Sequence, residues 1–284
     1  MLKKILLSCL ILVSNSTFAK SLTLSFDDGL DLSTHPQAQH INDAILNTLK
    51  QNNVHAIIYP SLSKIGANDG LGMIKQWGEQ GHRIGNHGNL HLNLNKDTVS
   101  LSVYLADMQQ GHQAFSTLQG FVPRYRFPFL KEGNTLEKKD GVRQWIKDHH
   151  YQSGAVSIDA SDWFYNQLFL KYQQENDQQS LVKLKQAYIF HLLDRAKYYD
   201  DLAQQTLGRS PKHVLLLHVR AINAAWLQDI IDAFHHQGWT FIDSDTAYQD
   251  PMYNIEPLLL PAGESIVWTI AKIYGIPNLR YPAE

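Results

Sequence analysis

Cysteine is almost missing from this chain: Cys9 is the only one among 284 residues. No intrachain disulfide can form, and the absence of a second thiol removes dithiol redox chemistry as well. A strong charge of one sign is also lacking. The chain has 25 Lys and Arg against 27 Asp and Glu, a net charge of -2, with no basic stripe. That balance argues against a nucleic-acid partner or an anionic membrane surface. Long apolar runs are lacking too. Ile5 to Val13 is too short for a bilayer, which needs about 20 residues, and no later segment qualifies. There is no internal repeat, low-complexity tract or Pro/Gly/Ser linker, so a single domain is expected.

Residues Met1 to Ala19 read as a secretory signal: Lys3 and Lys4, the apolar stretch, then Thr17-Phe18-Ala19 as a small-x-small cleavage site. The expectation is an exported protein, periplasmic or secreted, with no integral membrane segment once residues 1-19 are removed. Cys9 would leave with them, and the stability of the mature chain would come from its core and from any bound metal. A content of 44% hydrophobic and 18% charged residues suits a globular enzyme with such a core.

Short apolar runs alternate with amphipathic stretches. Strands are expected at Leu22–Phe26, His55–Tyr59, Arg83–Asn86, Arg124–Phe127, Gly154–Ile158, Val214–His218 and Thr240–Ile242. Helices are expected at Ala38–Gln51, Leu71–Gln80, Ser100–Leu118, Gly141–Tyr151 and Ala225–Gln237. Strands interleaved with helices predict βα units, parallel pairing and an α/β fold.

One stretch carries chemistry. Leu22-Thr23-Leu24-Ser25-Phe26 is a strand that runs out into Asp27-Asp28-Gly29. Alternation relaxes at Gly29, so both carboxylates can reach one pocket. Two carboxylates in a small space do not both ionise comfortably without a cation between them. A metal is therefore expected, and further donors follow in His87-x-x-x-His91. In a chain with 14 histidines that pair is weak by itself. Joined to a strand-end carboxylate it makes a two-histidine, one-carboxylate set with open positions.

Asp27-Asp28-Gly29 and His87-x-x-x-His91 resemble the first two motifs of the polysaccharide deacetylase (NodB-homology) family, carbohydrate esterase family four. Arg126-Phe127-Pro128-Phe129, Asp159-Ala160-Ser161-Asp162-Trp163 and Leu216-Leu217-His218 resemble its remaining three, in the same order. The resemblance implies a distorted (β/α)7-type barrel with parallel strands. Its catalytic domain would cover residues 20-250, and two regions of this sequence depart from a minimal barrel, the first a helical insertion at 164-212 between the fourth and fifth motifs. The second, a C-terminal helical extension at 251-284, would pack on the barrel.

The resemblance also implies roles. Asp28, His87 and His91 would hold one divalent ion, with Zn2+ as the default and Co2+, Ni2+ or Mn2+ suited to the same donors. Asp27 would be the general base, restrained by Arg126, and His218 the general acid, oriented by Asp162. The N–H of Phe129 would stabilise an oxyanion, while the Phe129 ring, Trp163 and Leu216 would line the groove. The implied activity is hydrolytic removal of acetyl groups from a carbohydrate, foremost N-deacetylation of amino sugars in a polysaccharide or oligosaccharide. An O-acetyl esterase, an amidase with the same site and a silent carbohydrate-binding relative are the alternatives. The partner would be an acetylated carbohydrate. The insertion is readable as an enlarged crossover or as a lid, since Leu181, Leu184, Tyr188 and Leu192 share one helical face.

Overall fold

The computed structural model describes residues 20–66 and 68–281, so the signal-like segment with Cys9 lies outside the described residues. The strands are β1 (Lys20–Asp28), β2 (Ile57–Pro60), β3 (Arg83–Asn86), β4 (Phe121–Tyr125), β5 (Lys131–Gly133), β6 (Gln152–Ser153), β7 (Lys212–His218), β8 (Trp239–Phe241) and β9 (Ala262–Gly263). Helices between and after them are α1 (Ala38–Gln51), α2 (Leu62–Ile65), α3 (Asn68–Glu79), α4 (Leu101–Phe115), α5 (Leu136–Asp148), α6 (Asp162–Gln174), α7 (Gln178–Leu207), α8 (Ala221–His236), α9 (Ser244–Tyr248) and α10 (Ile266–Ile273).

The main sheet runs β6-β4-β3-β2-β1-β7, with β8 beside the start of β1, and every pairing in it is parallel. Parallel neighbours need crossovers, and the helices supply them. Strand β1 is the central element. Its Leu22, Leu24 and Phe26 are wholly buried, and Phe26 meets Trp77 of α3 with ring centroids 5.4 Å apart. The alternate residues Thr23, Ser25 and Asp27 are buried on the other face, where Ser25 Oγ donates to Leu215 O at 2.9 Å. Burying a Leu or Phe side chain stabilises by about 1.5–3 kcal/mol, so the apolar face of β1 anchors the strand whose end bears the carboxylates.

The strand expected at Gly154–Ile158 is different from the expectation. Regular pairing to β4 stops at Ser153. Gly154 still donates its N–H to Tyr125 O at 2.7 Å, but Ser157 and Ile158 donate theirs to Val214 O, at 3.2 and 3.0 Å. Leu216 N–H in turn reaches Ile158 O at 3.0 Å. The segment leaves one edge of the sheet and joins the other, so it cannot keep a single ladder. This crossing curls the sheet into the distorted barrel. A side chain at 154 would also collide with the Tyr59 ring.

The segment after the fourth motif folds as α6 and α7, which pack on each other and on α8. Helix α7 starts at Asp177, whose Oδ1 accepts the Ser180 N–H at 2.9 Å, and ends at Gly208 in the left-handed region (φ 70°). Its face with Leu184, Tyr188, Leu192 and Tyr199 is buried. In the tail, α10 packs on α7, and β9 pairs antiparallel with β5. Among the described residues no helix is long and apolar enough to cross a membrane.

Candidate active site

The C-terminal ends of β1, β3 and β7 meet around a cavity of about 520 Å³, lined among others by Asp27, Asp28, His87, His91, Phe129, Asp159, Trp163, Leu216, His218 and Arg220. Asp27 and Asp28 share this cavity because Asp28 takes φ 78° and Gly29 φ 85°. The left-handed turn breaks the strand alternation that would otherwise send the two carboxylates to opposite faces. Gly29 has no space for a side chain, since a Cβ there would overlap Ile65.

One oxygen from Asp28 and one nitrogen each from His87 and His91 lie within 4.8 Å of one another. Asp28 Oδ1 is 3.2 Å from His91 Nε2 and 3.9 Å from His87 Nε2. It is buried and has no hydrogen-bond partner, whereas Asp28 Oδ2 accepts from Arg220 at 2.9 Å. His87 Nδ1 lies 2.7 Å from Arg126 O, which leaves Nε2 for the cavity. A backbone carbonyl behind one ring nitrogen is the arrangement that orients a metal-ligating imidazole. Burial keeps His87 well below the ordinary histidine range, hence neutral. For Asp28, burial works toward protonation, but the adjacent His91 and the charge of His218 outweigh it and hold the carboxyl far below the usual range. A neutral imidazole and an ionised carboxylate with an orphaned oxygen are the states a divalent cation requires. The donor set fits such an ion.

Asp27 is held from the other side. Its Oδ1 accepts from Arg126 Nη1 at 2.8 Å, while Oδ2 lies 3.7 Å from His87 Nε2. Burial pushes the Asp27 carboxyl upward against the pull of Arg126. Arg126, 1% exposed, stacks 4.4 Å from the Tyr59 ring and also donates to Gly154 O, to Ser25 Oγ at 3.2 Å and to Tyr248 OH at 3.4 Å. It leaves the β4 ladder at the residue before Phe127-Pro128, so its side chain enters the barrel.

His218 closes β7. Both oxygens of Asp162 engage it: Oδ1 is 2.6 Å from Nδ1, and Oδ2 accepts the His218 backbone N–H at 2.7 Å. Burial alone would lower the imidazole, but Asp162 beside it raises it to about 9. Asn223 ties the pair together by donating to Asp162 Oδ2 and to His218 O, both at 2.8 Å. Tyr188 of α7 donates to Asn223 Oδ1 at 2.6 Å. The insertion therefore reaches the site from behind.

Phe129 and Trp163 are 55% and 42% exposed and form aromatic walls, with Phe129 4.6 Å from the His91 ring, while Leu216 is buried at the floor. Phe129 and Leu130 both have positive φ, 57° and 55°. The tail holds this turn: Glu264 donates its N–H to Leu130 O at 2.9 Å, and Lys131 pairs with Glu264. Gly263 abuts Leu130 O so closely that no Cβ fits. Asp159 stands at the cavity with its carboxyl raised by burial to about 7.

All ten residues named from the sequence are thus brought together. Arg220, Asn223, Tyr188 and Tyr248 were missed. Arg220 and Asn223 lie just past His218 in an ordinary helix start, and nothing in their spacing signals them.

Residues 14–152 match the family model described as polysaccharide deacetylase. Over 143 residues, 50% of this chain and 46% of the other, the chain is 31% identical to a peptidoglycan-N-acetylglucosamine deacetylase of Bacillus cereus. Over 148 residues, 51% of this chain and 27% of the other, it is 28% identical to a peptidoglycan-N-acetylglucosamine deacetylase of Listeria monocytogenes. The chain spans less than half the length of these curated relatives. Among solved structures it resembles a family 4 carbohydrate esterase from Streptomyces lividans in complex with acetate (TM-score 0.52, 17% identity, 80% of this chain and 95% of that one). It also resembles a carbohydrate esterase family-four pseudoenzyme from Bacillus anthracis (TM-score 0.55, 15% identity, 81% and 66%). At those identities the likeness is one of fold.

Proposed function

The chain belongs to the polysaccharide deacetylase (NodB-homology) family, carbohydrate esterase family four, and from that premise we propose that it is a metal-dependent hydrolase removing N-acetyl groups from amino sugars of a polysaccharide or its oligomers. Peptidoglycan glycan strands, the substrate named for the curated relatives, are the first to test. One observation carries the reading: an orphaned carboxylate oxygen, two imidazoles, a buried base and a charged acid converge on one cavity. The same intact set disfavours the silent alternative.

The ion would be held by Asp28 Oδ1, His87 and His91. When bound it supplies a Lewis acid that polarises the acyl oxygen and eases deprotonation of water. Asp27 takes the proton of the attacking water on Oδ2, because Oδ1 is engaged by Arg126. Arg126 pulls against the upward push of burial and fixes that carboxylate in direction, so it is a positioning residue. The backbone N–H of Phe129 stabilises charge developing on the acyl oxygen. His218, protonated and with Nδ1 committed to Asp162, delivers a proton from Nε2 to the departing amine. Trp163 and Leu216 pack against the acetyl methyl.

The test is acetate release from N-acetylated and O-acetylated glycans, with and without a chelator. Chelator-sensitive release from N-acetylated glycans is expected, and release only from O-acetylated ones favours the esterase reading. A second measurement concerns Asp27→Asn. It should retain one equivalent of divalent ion and lose roughly 10²-fold or more in turnover. Wild-type turnover in that variant removes Asp27 from the base role.

A further inference from the structure

The two histidines of the donor set sit on one five-residue turn, and that turn is shaped from outside by α4. Asp107, 3% exposed, points from α4 at the turn and uses both oxygens on it. Oδ2 accepts the Asn89 N–H at 2.9 Å and Oδ1 accepts the Leu90 N–H at 2.7 Å. On the opposite side Ser61 Oγ and Ser63 N–H each donate to Asn89 O at 2.8 Å. Gly88 N–H donates to Asn86 Oδ1 at 2.8 Å, and Asn86 Nδ2 in turn donates to Met108 O of α4 at 3.0 Å.

The contact leaves no spare space. Gly88 has φ 76°, and a Cβ on it would overlap Asp107 Oδ2. Gly111, one turn further along α4, lies against Asn86 Oδ1 so closely that a Cβ there would overlap it too. Two glycines thus let the helix approach, and one carboxylate reads out two successive N–H groups of the turn. Charge-assisted bonds of this kind are roughly twice as strong as neutral ones.

We propose that Asp107 is a positioning residue for the divalent-ion site. It sets the curvature of the 87–91 turn that aims both imidazoles at Asp28, and Gly88 is required because Asp107 occupies the space a side chain would take. The inference rests on the reading of Asp28, His87 and His91 as metal donors. Asp107 touches no donor side chain, so its effect is on how well the set is preorganised, and removing such supporting partners typically weakens metal binding 10- to 100-fold.

The test is Zn2+ affinity of the full chain, measured by competition with a chromophoric chelator, alongside thermal unfolding of the metal-free forms. Asp107→Ala should bind Zn2+ roughly 10- to 100-fold more weakly. Asp107→Asn, which keeps one acceptor oxygen, should recover part of that loss. Gly88→Ala should weaken binding in the wild-type background and do so less in Asp107→Ala, since the carboxylate it displaces is already gone. If Asp107→Ala does not fold, the Asn and Gly88 variants decide alone. Lower unfolding temperatures with unchanged Zn2+ affinity make Asp107 purely structural and overturn the proposal. A wild-type chain that takes up no Zn2+ overturns the donor reading itself, a separate and recognisable failure.

Discussion

Strand β7 carries a histidine near each end, each paired with an aspartate, and the two ends use the pair for opposite purposes. At the cavity, His218 is 16% exposed, its Nδ1 bound to Asp162 and its Nε2 without a described partner. At the start of the strand, His213 is fully buried, with Nδ1 3.0 Å from Ser157 Oγ and Nε2 3.3 Å from Asp200 Oδ1. By connectivity alone Ser157–His213–Asp200 has the order of a hydrolytic triad. Yet Ser157 Oγ already accepts the Val214 N–H at 2.8 Å, and Asp200 already pairs with Lys20 at 3.0 Å. Burial holds His213 below the ordinary histidine range although Asp200 is adjacent, whereas Asp162 lifts His218 to about 9. A histidine–aspartate pair becomes chemistry only where the second ring nitrogen faces a cavity. Elsewhere it is internal wiring.

The largest expected effect separates the two ends directly. His218→Ala should lower N-deacetylation by roughly 10²- to 10⁴-fold. Activity toward an aryl acetate should largely survive, because an acidic phenol leaves without a donated proton. His213→Ala should leave turnover per folded molecule within a few-fold and lower the melting temperature instead. Equal losses of His218→Ala on amide and aryl ester would assign it a pocket-shaping role, and a comparable activity loss in folded His213→Ala would break the comparison outright.

Asp162→Asn comes next: the same amide-selective pattern as His218→Ala, but milder, since Asp162 works only through the imidazole. The pH behaviour of the metal-free protein is subtler. Asp162 raises His218 in the folded protein to about 9, above the ordinary histidine value of 6.5. The fold binds its proton more tightly than the unfolded chain, so its stabilisation is present below pH 6.5 and is lost as pH rises through about 9. His213 has the reverse sign: its lowered value makes the fold lose stability as pH falls below 6.5. Histidine NMR titrations of the metal-free chain should show the two residues moving in opposite directions from 6.5, and coincident titrations would dissolve the distinction. The smallest effect is that of Ser157→Ala, which leaves His213 and the Val214 N–H short of a partner. It should cost about 1 kcal/mol and a few degrees in melting temperature, with acetate release unchanged.

Much of the site was legible because its residues terminate strands or open turns, where type and spacing carry the signal. Asp27-Asp28-Gly29 announced a strand end, and His87-x-x-x-His91 a turn with two donors. The parallel α/β order followed from the alternation of short apolar runs with amphipathic stretches. The supporting residues were not legible, because each acts across a tertiary contact. Asn223 and Tyr188 lie on different helices, and the chain from Tyr188 through Asn223 to Asp162 forms only once α7 and α8 are packed. Arg220 lies outside every expected helix and strand and meets Asp28 only once β1 and β7 are adjacent. The expected strand at Gly154–Ile158 failed for a related reason: its residues are apolar enough for a strand, but they serve two sheet edges in turn. The tail places α10 on α7 and β9 beside β5, and its grip on the turn that presents Phe129 has no local signature.

That grip separates loading from working. Asp28, His87, His91, Asp27 and Arg126 all precede Phe127, so a chain emerging in order carries the complete donor set and the base early. The proposed acid follows at His218, and the turn that presents Phe129 is held by Gly263 and Glu264, the latter pairing with Lys131 across 133 positions. Closing a loop of that length is among the slower contacts a chain makes. During maturation the protein would therefore pass through a stage able to hold an ion while unable to grip an acetyl group. Turnover would be switched on by the last segment to arrive.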